Sequence, residues 1–272
     1  MLFIVSTPIG NLEDISQRAL DTLRAVDAIL CEDTRRSLIL LQRYGIEKSL
    51  HPYHKFLEKA QLQKILSALR EGKNLALISD AGTPCINDPG QILVSACIEE
   101  GIEISAIPGP CSLIQALVLS GFDTTRFQFL GFLPKKGKKP LQEALGYPGT
   151  TIAFESPQRL VHTLEAIGPN RRVAIAREMT KTFEEVRRGM APDLAKHFKQ
   201  HPPKGEVVLI IEEGPLPDDL ELDELIAMLR KWHGLSLKEA IKLAAKCKQI
   251  PKRLVYRKTT RGPDEHTERD SI

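Results

Sequence analysis

The sequence predicts an α/β protein of two domains followed by a small helical unit, and three observations predict it. Four apolar runs in residues 1–121 each end in a loop dense in Gly, Pro, Asp, Thr or Ser, with helical spacing next. Such strand–loop–helix alternation argues a mainly parallel sheet. After Gly121 the pattern becomes more hairpin-like, as in a mixed sheet, as far as about residue 214. Finally, residues 212–224 hold seven acids and no base, whereas 231–261 hold ten Lys or Arg against one acid, Glu239. The expected division is 1–121, 122–214, an acidic linker and helix start over 215–230, a basic helical unit over 231–261 and a polar tail over 262–272.

The first strand is Leu2–Val5, ending in the turn-forming Ser6-Thr7-Pro8-Ile9-Gly10-Asn11. Leu12, Ile15, Ala19, Leu20 and Leu23 have helical spacing, which predicts a helix over Leu12–Val26 with Glu13 and Asp14 in its first turn. Ala28–Cys31 is the second strand, and a helix over about Ser37–Tyr44 ends at Gly45. His51–Lys55 reads as a loop and Lys59–Arg70 as a helix closed by Gly72. Leu75–Ile78 is the third strand. Its loop, Ser79–Gly90, contains two prolines, two glycines and two aspartates and precedes a helix over Ile92–Ile98. Ile102–Ile107 is the fourth strand, followed by Pro108-Gly109-Pro110-Cys111-Ser112 and a helix over Leu113–Ser120. In the second domain, strands are expected at Phe127–Phe132, Thr150–Phe154, Arg172–Ala176, Thr182–Arg188 and Glu206–Glu212, with a basic loop at Lys135–Lys139. In the last unit Leu237, Ile241, Ala244 and Ala245 make one helix face, with Lys238, Lys242 and Lys246 opposite. Pro251 suits the first turn of a further helix, giving a helix–turn–helix-like unit.

Composition excludes several classes. With 42% hydrophobic and 27% charged residues, the chain has the make-up of an ordinary globular protein. Five cysteines without a C-x-x-C argue against a disulfide framework or zinc ribbon, and the expectation is a reduced, cytoplasmic compartment. No basic leader precedes Leu2, so no signal peptide is expected. No apolar stretch approaches the ~18 residues of a membrane span. No G-x-G-x-x-G or G-x-x-x-x-G-K-[ST] occurs, and His51 and His54 lack partners at metal spacing, so no metal is expected.

The loops carry the chemistry. In a parallel sheet they lie at one edge, where open α/β sheets bind ligands. The 79–90 loop is rigid and polar, suited to a cofactor floor, while Asp88-Pro89-Gly90 shapes the turn into the next helix. A ten-to-one basic bias on a short helical unit suits a phosphate backbone.

Six segments in one order are diagnostic together: Thr7–Ile15, Glu32-Asp33-Thr34-Arg35, Ser79–Pro84 with Asp88-Pro89-Gly90, Pro108-Gly109-Pro110, Glu155-Ser156-Pro157 with Arg159, and Ala176–Lys181. Through them the chain resembles the tetrapyrrole methylase class of S-adenosylmethionine enzymes over about residues 2–258, and within that class the bacterial small-subunit rRNA 2′-O-methyltransferases. The resemblance implies two α/β domains with the donor in the cleft between them, and a homodimer. It implies as acceptor a cytidine ribose 2′-hydroxyl in the decoding region of 16S rRNA, free or in the small subunit. It places donor contacts on Pro8, Gly82, Thr83, Pro84, Ile86, Pro110 and Cys111, with the second domain contributing Phe154 and Ala176. Asp80 is placed beside them, to orient the donor amine or ribose. The chain departs from the family's pattern at Gln158, where His is expected, and at Cys111, where Ser is expected.

Methyl transfer to oxygen needs alignment and help in removing the hydroxyl proton. Glu32, Asp33, His54 and Asp88 are candidate acceptors, with Glu32 or Asp33 preferred, and Arg35 is placed on the RNA backbone. Asp33 has a second reading, as the cap of the helix that follows. Arg177, Lys181, Lys238, Lys242 and Lys246 are candidate phosphate contacts. The competing readings are a methylase of a corrin or porphyrin ring, and a non-catalytic RNA-binding protein on a donor-binding fold.

Overall fold

The computed structural model describes residues 1–133, 139–214 and 220–260. Most of the basic loop at Lys135–Lys139, Pro215 and Pro217 of the linker, and the 262–272 tail lie outside these. The chain forms two compact units. The first is Met1–Leu119 with Ile175–Val186 and Gly205–Val208, and the second is Ser120–Ala174, Arg187–Lys204 and the residues from Leu209 onward.

The first unit is built on β1 (Leu2–Val5), β2 (Ala28–Cys31), β3 (Ser49–Pro52), β4 (Leu75–Leu77) and β5 (Ile104–Ile107), ordered β3-β2-β4-β1-β5. The pairings β1–β4, β1–β5, β2–β3 and β2–β4 are all parallel, with Leu2 opposite both Leu75 and Ile104. Side chains alternate across the sheet, so each strand feeds two cores. Val5, Ile29, Cys31, Ala76 and Ile78 pack with α1 (Gln17–Ala25) and α2 (Thr34–Arg43) through Leu20, Leu23, Leu40 and Leu41. Leu2, Leu30, Leu75 and Leu77 face the other way, against α3 (Glu58–Arg70) and α4 (Gln91–Glu99) through Ile65, Leu66, Leu69 and Leu93. The sheet is therefore covered on both faces and opens only at its ends. The unit's last helix begins at Ser112, as α5 (Ser112–Ser120).

In the first unit three elements differ from expectation. The helix over Leu12–Val26 is a short 3-10 turn, Leu12–Asp14, followed by α1, because the Ser16 hydroxyl accepts the Ala19 N–H at 3.1 Å and starts a new helix. Helix α2 begins at Thr34 rather than Ser37, since Asp33 caps it through the Arg35 N–H at 2.9 Å. The expected loop at His51 is partly strand β3, an edge strand with most of its side chains exposed.

The second sheet is ordered β6-β7-β10-β8-β9, from β6 (Phe127–Phe132), β7 (Thr150–Glu155), β8 (Arg172–Arg177), β9 (Glu185–Met190) and β10 (Val207–Ile211). It is mixed. Strands β6 and β7 are parallel. Strands β8 and β10 are antiparallel: the Glu178 N–H meets the Glu206 carbonyl, and the Glu212 N–H meets the Arg172 carbonyl. Three helices, α6 (Lys139–Leu145), α7 (Pro157–Ile167) and α8 (Ala191–Gln200), were not expected from the sequence. Helix α7 begins with Pro157 in its first turn and buries Leu160, Thr163, Leu164 and Ile167, a helical spacing. The chain continues into α9 (Leu222–His233), α10 (Leu237–Cys247) and α11 (Lys252–Thr260), which share a core of Leu225, Leu229, Ala240, Ile241, Ala244, Ala245 and Val255. Leu237, expected on the buried face, is 38% exposed, and Ala240 takes its place in the core. The Ser236–Glu239 capping box sets the start of α10 one residue past Ser236.

Candidate functional site

The carboxyl ends of β1, β4 and β5 are tied into one floor. Thr7 and Gly82 exchange backbone hydrogen bonds, Thr7 N–H to Gly82 O at 2.9 Å and Gly82 N–H to Thr7 O at 3.0 Å. The Thr7 hydroxyl donates to the Ser79 carbonyl at 3.1 Å. Ser6 Oγ lies 3.1 Å from Thr83 Oγ1, which donates to the Pro110 carbonyl at 3.1 Å. The structure therefore brings Pro8, Gly82, Thr83, Pro84, Pro110 and Cys111 together from three loops far apart in sequence. Pro8, Gly82, Pro84 and Pro110 are buried, and Ile86 is 40% exposed. Gly82 has φ of +84°, and a Cβ there would stand 3.2 Å from Ile9 Cγ2, so both its conformation and its space select glycine. Cys85 and Asn87 also have positive φ, at 70° and 67°. Non-glycine residues hold that conformation only where their surroundings impose it. Here the imposition comes from α3: buried Glu58 accepts the Gly90 N–H at 2.8 Å through Oε1 and fixes the far end of the loop.

Beside the floor, at the end of β2, stands a group of acids. Asp80 Oδ1 accepts the Asp33 N–H at 3.0 Å, and its Oδ2 is 3.4 Å from Arg36 Nη1. Burial, then the nearby Glu32 and Asp80 carboxylates, push Asp88 up to about 6 against a lowering hydrogen bond from Ser79. Glu32 is raised by burial and by Asp80, while His54 and Arg36 pull it back. Asp33 is different: side-chain and backbone hydrogen bonds from Arg35 hold its carboxyl well below the usual carboxylate range. The Arg35 fork is bidentate, 3.1 Å from Nε to Oδ1 and 2.8 Å from Nη2 to Oδ2. A carboxylate already saturated by a guanidinium and a helix N-terminus is a weak base. Burial pushes the Cys85 thiol up to about 11, which leaves it an inert packing group. Among the described residues no group of three or more His, Cys, Asp and Glu side chains is placed to hold a metal ion.

Ala176 is buried at the end of β8, in the part of that strand that belongs to the first unit. The turn after it docks on the first loop: Asn11 N–H donates to Thr180 Oγ1 at 3.0 Å, and a Cβ on Gly10 would stand 2.7 Å from the same oxygen. Arg177 and Lys181 are not bare cations. Arg177 binds Glu185 Oε2 at 3.0 and 3.1 Å, and Lys181 Nζ is 3.1 Å from Glu178 and 3.0 Å from Glu206. Phe154 belongs to the second unit, where its ring meets Phe129 edge-on at 5.0 Å and Phe132 at 5.5 Å. Next to it Glu155 is buried, ion-paired with Arg159 and bound by the Ser156 N–H and the Thr163 hydroxyl, each at 2.6 Å. Gln158 is exposed and accepts the Ser156 hydroxyl. Lys238, Lys242 and Lys246 are exposed on α10.

Sequence reasoning gave no site role to Ser6, Arg36 or Glu58, and included Thr7 and Thr180 only as members of the diagnostic segments. Ser6 and Thr7 stand beside Pro8 in a loop already singled out. Glu58 carries no such signal, because a buried acid at the start of a helix looks like any first-turn charge.

A donor bearing a sulfonium and an ammonium needs an uncharged or acidic surround, and the three floor loops, 6–11, 79–90 and 108–112, contain no Lys or Arg. Three buried prolines supply apolar walls, and the neighbouring carboxylates favour a cation. The residues therefore fit such a donor.

The model of the Tetrapyrrole (Corrin/Porphyrin) Methylases family matches residues 1–195. A protein of Escherichia coli O157:H7 named ribosomal RNA small subunit methyltransferase I is 43% identical over 266 residues, covering 94% of this chain and 93% of the relative. Its namesake in Mesorhizobium japonicum is 44% identical, covering 96% and 93%. Among solved structures, the methyltransferase CobJ superposes with a TM-score of 0.58 at 16% identity, covering 78% of this chain and 93% of that one. The native form of uroporphyrin III C-methyltransferase from Thermus thermophilus gives 0.57 at 16%, covering 78% and 97%. These two likenesses speak to the fold alone.

Proposed function

Because the chain belongs to the tetrapyrrole (corrin/porphyrin) methylase family, we propose that its site transfers a methyl group from S-adenosylmethionine to small-subunit ribosomal RNA, at the 2′-hydroxyl of a cytidine in the decoding region. The relatives' name supports the acceptor, at more than 40% identity over nearly the whole chain. The observation that carries the donor half is the cation-free floor made by the Thr7–Gly82 and Ser6–Thr83–Pro110 links.

When bound, S-adenosylmethionine supplies an electrophilic methyl carbon on a sulfonium. Pro8, Gly82, Thr83, Pro84, Ile86, Pro110, Cys111 and Ala176 would hold it, with Asp80 orienting its amine or ribose, and Phe154 is a further proposed donor contact. Asp88 would accept the proton that the ribose 2′-hydroxyl gives up on taking the methyl group. After burial, the nearby Glu32 carboxylate is the largest influence raising Asp88's proton affinity, so Glu32 helps to tune the base. Asp33 holds Arg35 and caps α2, and Arg35 with α10 meets the phosphates. The protein is cytoplasmic and a homodimer in this reading. Ile114 and Val118, one turn apart on α5 and 43% and 66% exposed, support a self-contact.

Tritium transfer from labelled donor tests the whole reading, with small subunits lacking the modification, free 16S rRNA and a tetrapyrrole as competing acceptors. Label recovered as 2′-O-methylcytidine in 16S rRNA is expected. Label on the tetrapyrrole alone, or on neither RNA, overturns it.

A further inference from the structure

We propose that Phe56 is the base-stacking residue of the acceptor site, its ring taking one face of an unpaired nucleobase and so positioning the target nucleotide. The inference rests on RNA being the acceptor.

Phe56 is 89% exposed, more than any other large apolar side chain among the described residues. It stands on the short connection between β3 and α3, at the carboxyl end of a strand paired with β2, whose own end carries Glu32. Both flanks of this connection are anchored. The Tyr53 N–H donates to the Cys31 carbonyl at 2.7 Å, and Tyr53 is buried. The Leu57 and Glu58 N–H groups both donate to the His54 carbonyl, at 2.7 and 3.2 Å, and Glu58 is buried. The ring is thus held out from a fixed turn, and no described side chain other than His54 makes a ring contact with it. His54 meets it edge-on at 6.1 Å and 69°, and His54 also acts electrostatically on Glu32. One side chain therefore joins the exposed ring to the carboxylate pair.

The surroundings decide the occupant. Lys55 and Lys59 are exposed on either side of Phe56, and among the described residues neither is ion-paired. An aromatic face with free cations beside it matches a nucleobase and its phosphates, since splayed-out bases stack on aromatic rings while Lys holds the backbone. Phe183, 74% exposed, is the contrasting case. Its turn carries Glu178, Glu184 and Glu185, and the cations bound to those acids are already paired, Lys181 with Glu178 and Glu206 and Arg177 with Glu185. That setting repels phosphate.

The test compares Phe56→Ala, Phe56→Trp and Phe183→Ala in the full chain, with unmodified small subunits as acceptor. Steady-state kinetics give KM for the subunit and kcat, and calorimetry gives donor affinity. Phe56→Ala is expected to raise KM by roughly 5- to 150-fold, the equivalent of the ~1–3 kcal/mol of a base on an aromatic ring. Donor affinity should stay within twofold, Phe56→Trp should restore KM, and Phe183→Ala should change little. An unchanged KM in Phe56→Ala, or an equal loss of donor affinity, overturns the inference. If the wild type transfers nothing to RNA, the proposed function falls and this inference with it. If the wild type is active and Phe56→Ala is unaffected, this inference falls alone.

Discussion

Asp88 shows how a single residue's environment sets its chemistry. Its carboxyl is pushed up to about 6 by burial and by Glu32 and Asp80, near the value at which a general base works best at neutral pH. The rate, kcat/KM, should therefore rise with pH through about 6. Asp88→Asn should lower kcat by roughly 10²- to 10⁴-fold, the usual worth of a positioned base. Glu32→Gln removes a repelling carboxylate, so Asp88 should ionise more readily and the limb should move to lower pH. A pH–rate profile of each variant checks this, and a limb that stays in place in Asp88→Asn refutes it. Stability has the opposite sign. Between 3.8 and about 6 the folded protein holds a proton that the unfolded chain has released, so Asp88's contribution grows as pH falls through that window. At pH 7 it is ionised at a cost, and Asp88→Asn should melt no lower than wild type by calorimetry. The loops around Glu32 and Asp88 were legible in sequence, but the division of labour within them was not. Asp33 and Glu32 are adjacent in the chain. Only the structure shows one saturated by Arg35 and the other half-buried among carboxylates.

The elements owe their places to short-range rules, and their function to contacts that cross long stretches of sequence. Gly82 serves both, turning the chain within the loop after β4 with a positive φ and bonding Thr7 seventy-five residues away. Gly82→Ala should cost about 1–2 kcal/mol from the left-handed backbone alone and weaken donor binding more than tenfold, read by chemical denaturation and calorimetry. Glu58→Ala frees the Gly90 N–H at a buried site and should destabilise by about 1–3 kcal/mol. Ser236→Ala removes a capping box and should cost about 1 kcal/mol in α10, with methyl transfer unchanged. Strands β1, β2 and β4 were readable because doubly covered strands are continuous apolar runs. Strand β3 was not, since an edge strand spelled Ser-Leu-His-Pro with mostly exposed side chains gives no period. The early start of α2 escaped for a related reason: its first turn, Thr34-Arg35-Arg36, is polar and the apolar stripe begins later. Helix α7 was missed although its spacing was present, because Glu155-Ser156-Pro157 drew attention as a motif rather than as a helix start.

Across the whole molecule, charge is segregated by task. The donor floor has no cations, while the 231–261 segment has ten against one acid. A cationic donor and a polyanionic acceptor make opposite demands on one chain, and distance along the sequence meets both. The three lysines on α10 follow every fourth residue along one exposed face, while Ala240, Ile241, Ala244 and Ala245 lock the other into the helical core. Arg177 and Lys181, by contrast, are spent on Glu185, Glu178 and Glu206, so they hold the turn under Asn11 more than they attract RNA. The two sets of cations should therefore behave differently under salt. Each phosphate contact contributes about 0.7–0.9 to the slope of log affinity against log salt. Lys238→Ala, Lys242→Ala and Lys246→Ala combined should flatten that slope by roughly 2–3 and weaken subunit binding at physiological salt. Lys181→Ala should leave the slope nearly intact while lowering the melting temperature. Donor affinity should be unchanged in the triple variant, because none of its lysines stands on the floor loops. A slope unaffected by the triple substitution would remove α10 from the RNA interface, and a slope reduced by Lys181→Ala would show that its ion pairs open to admit phosphate.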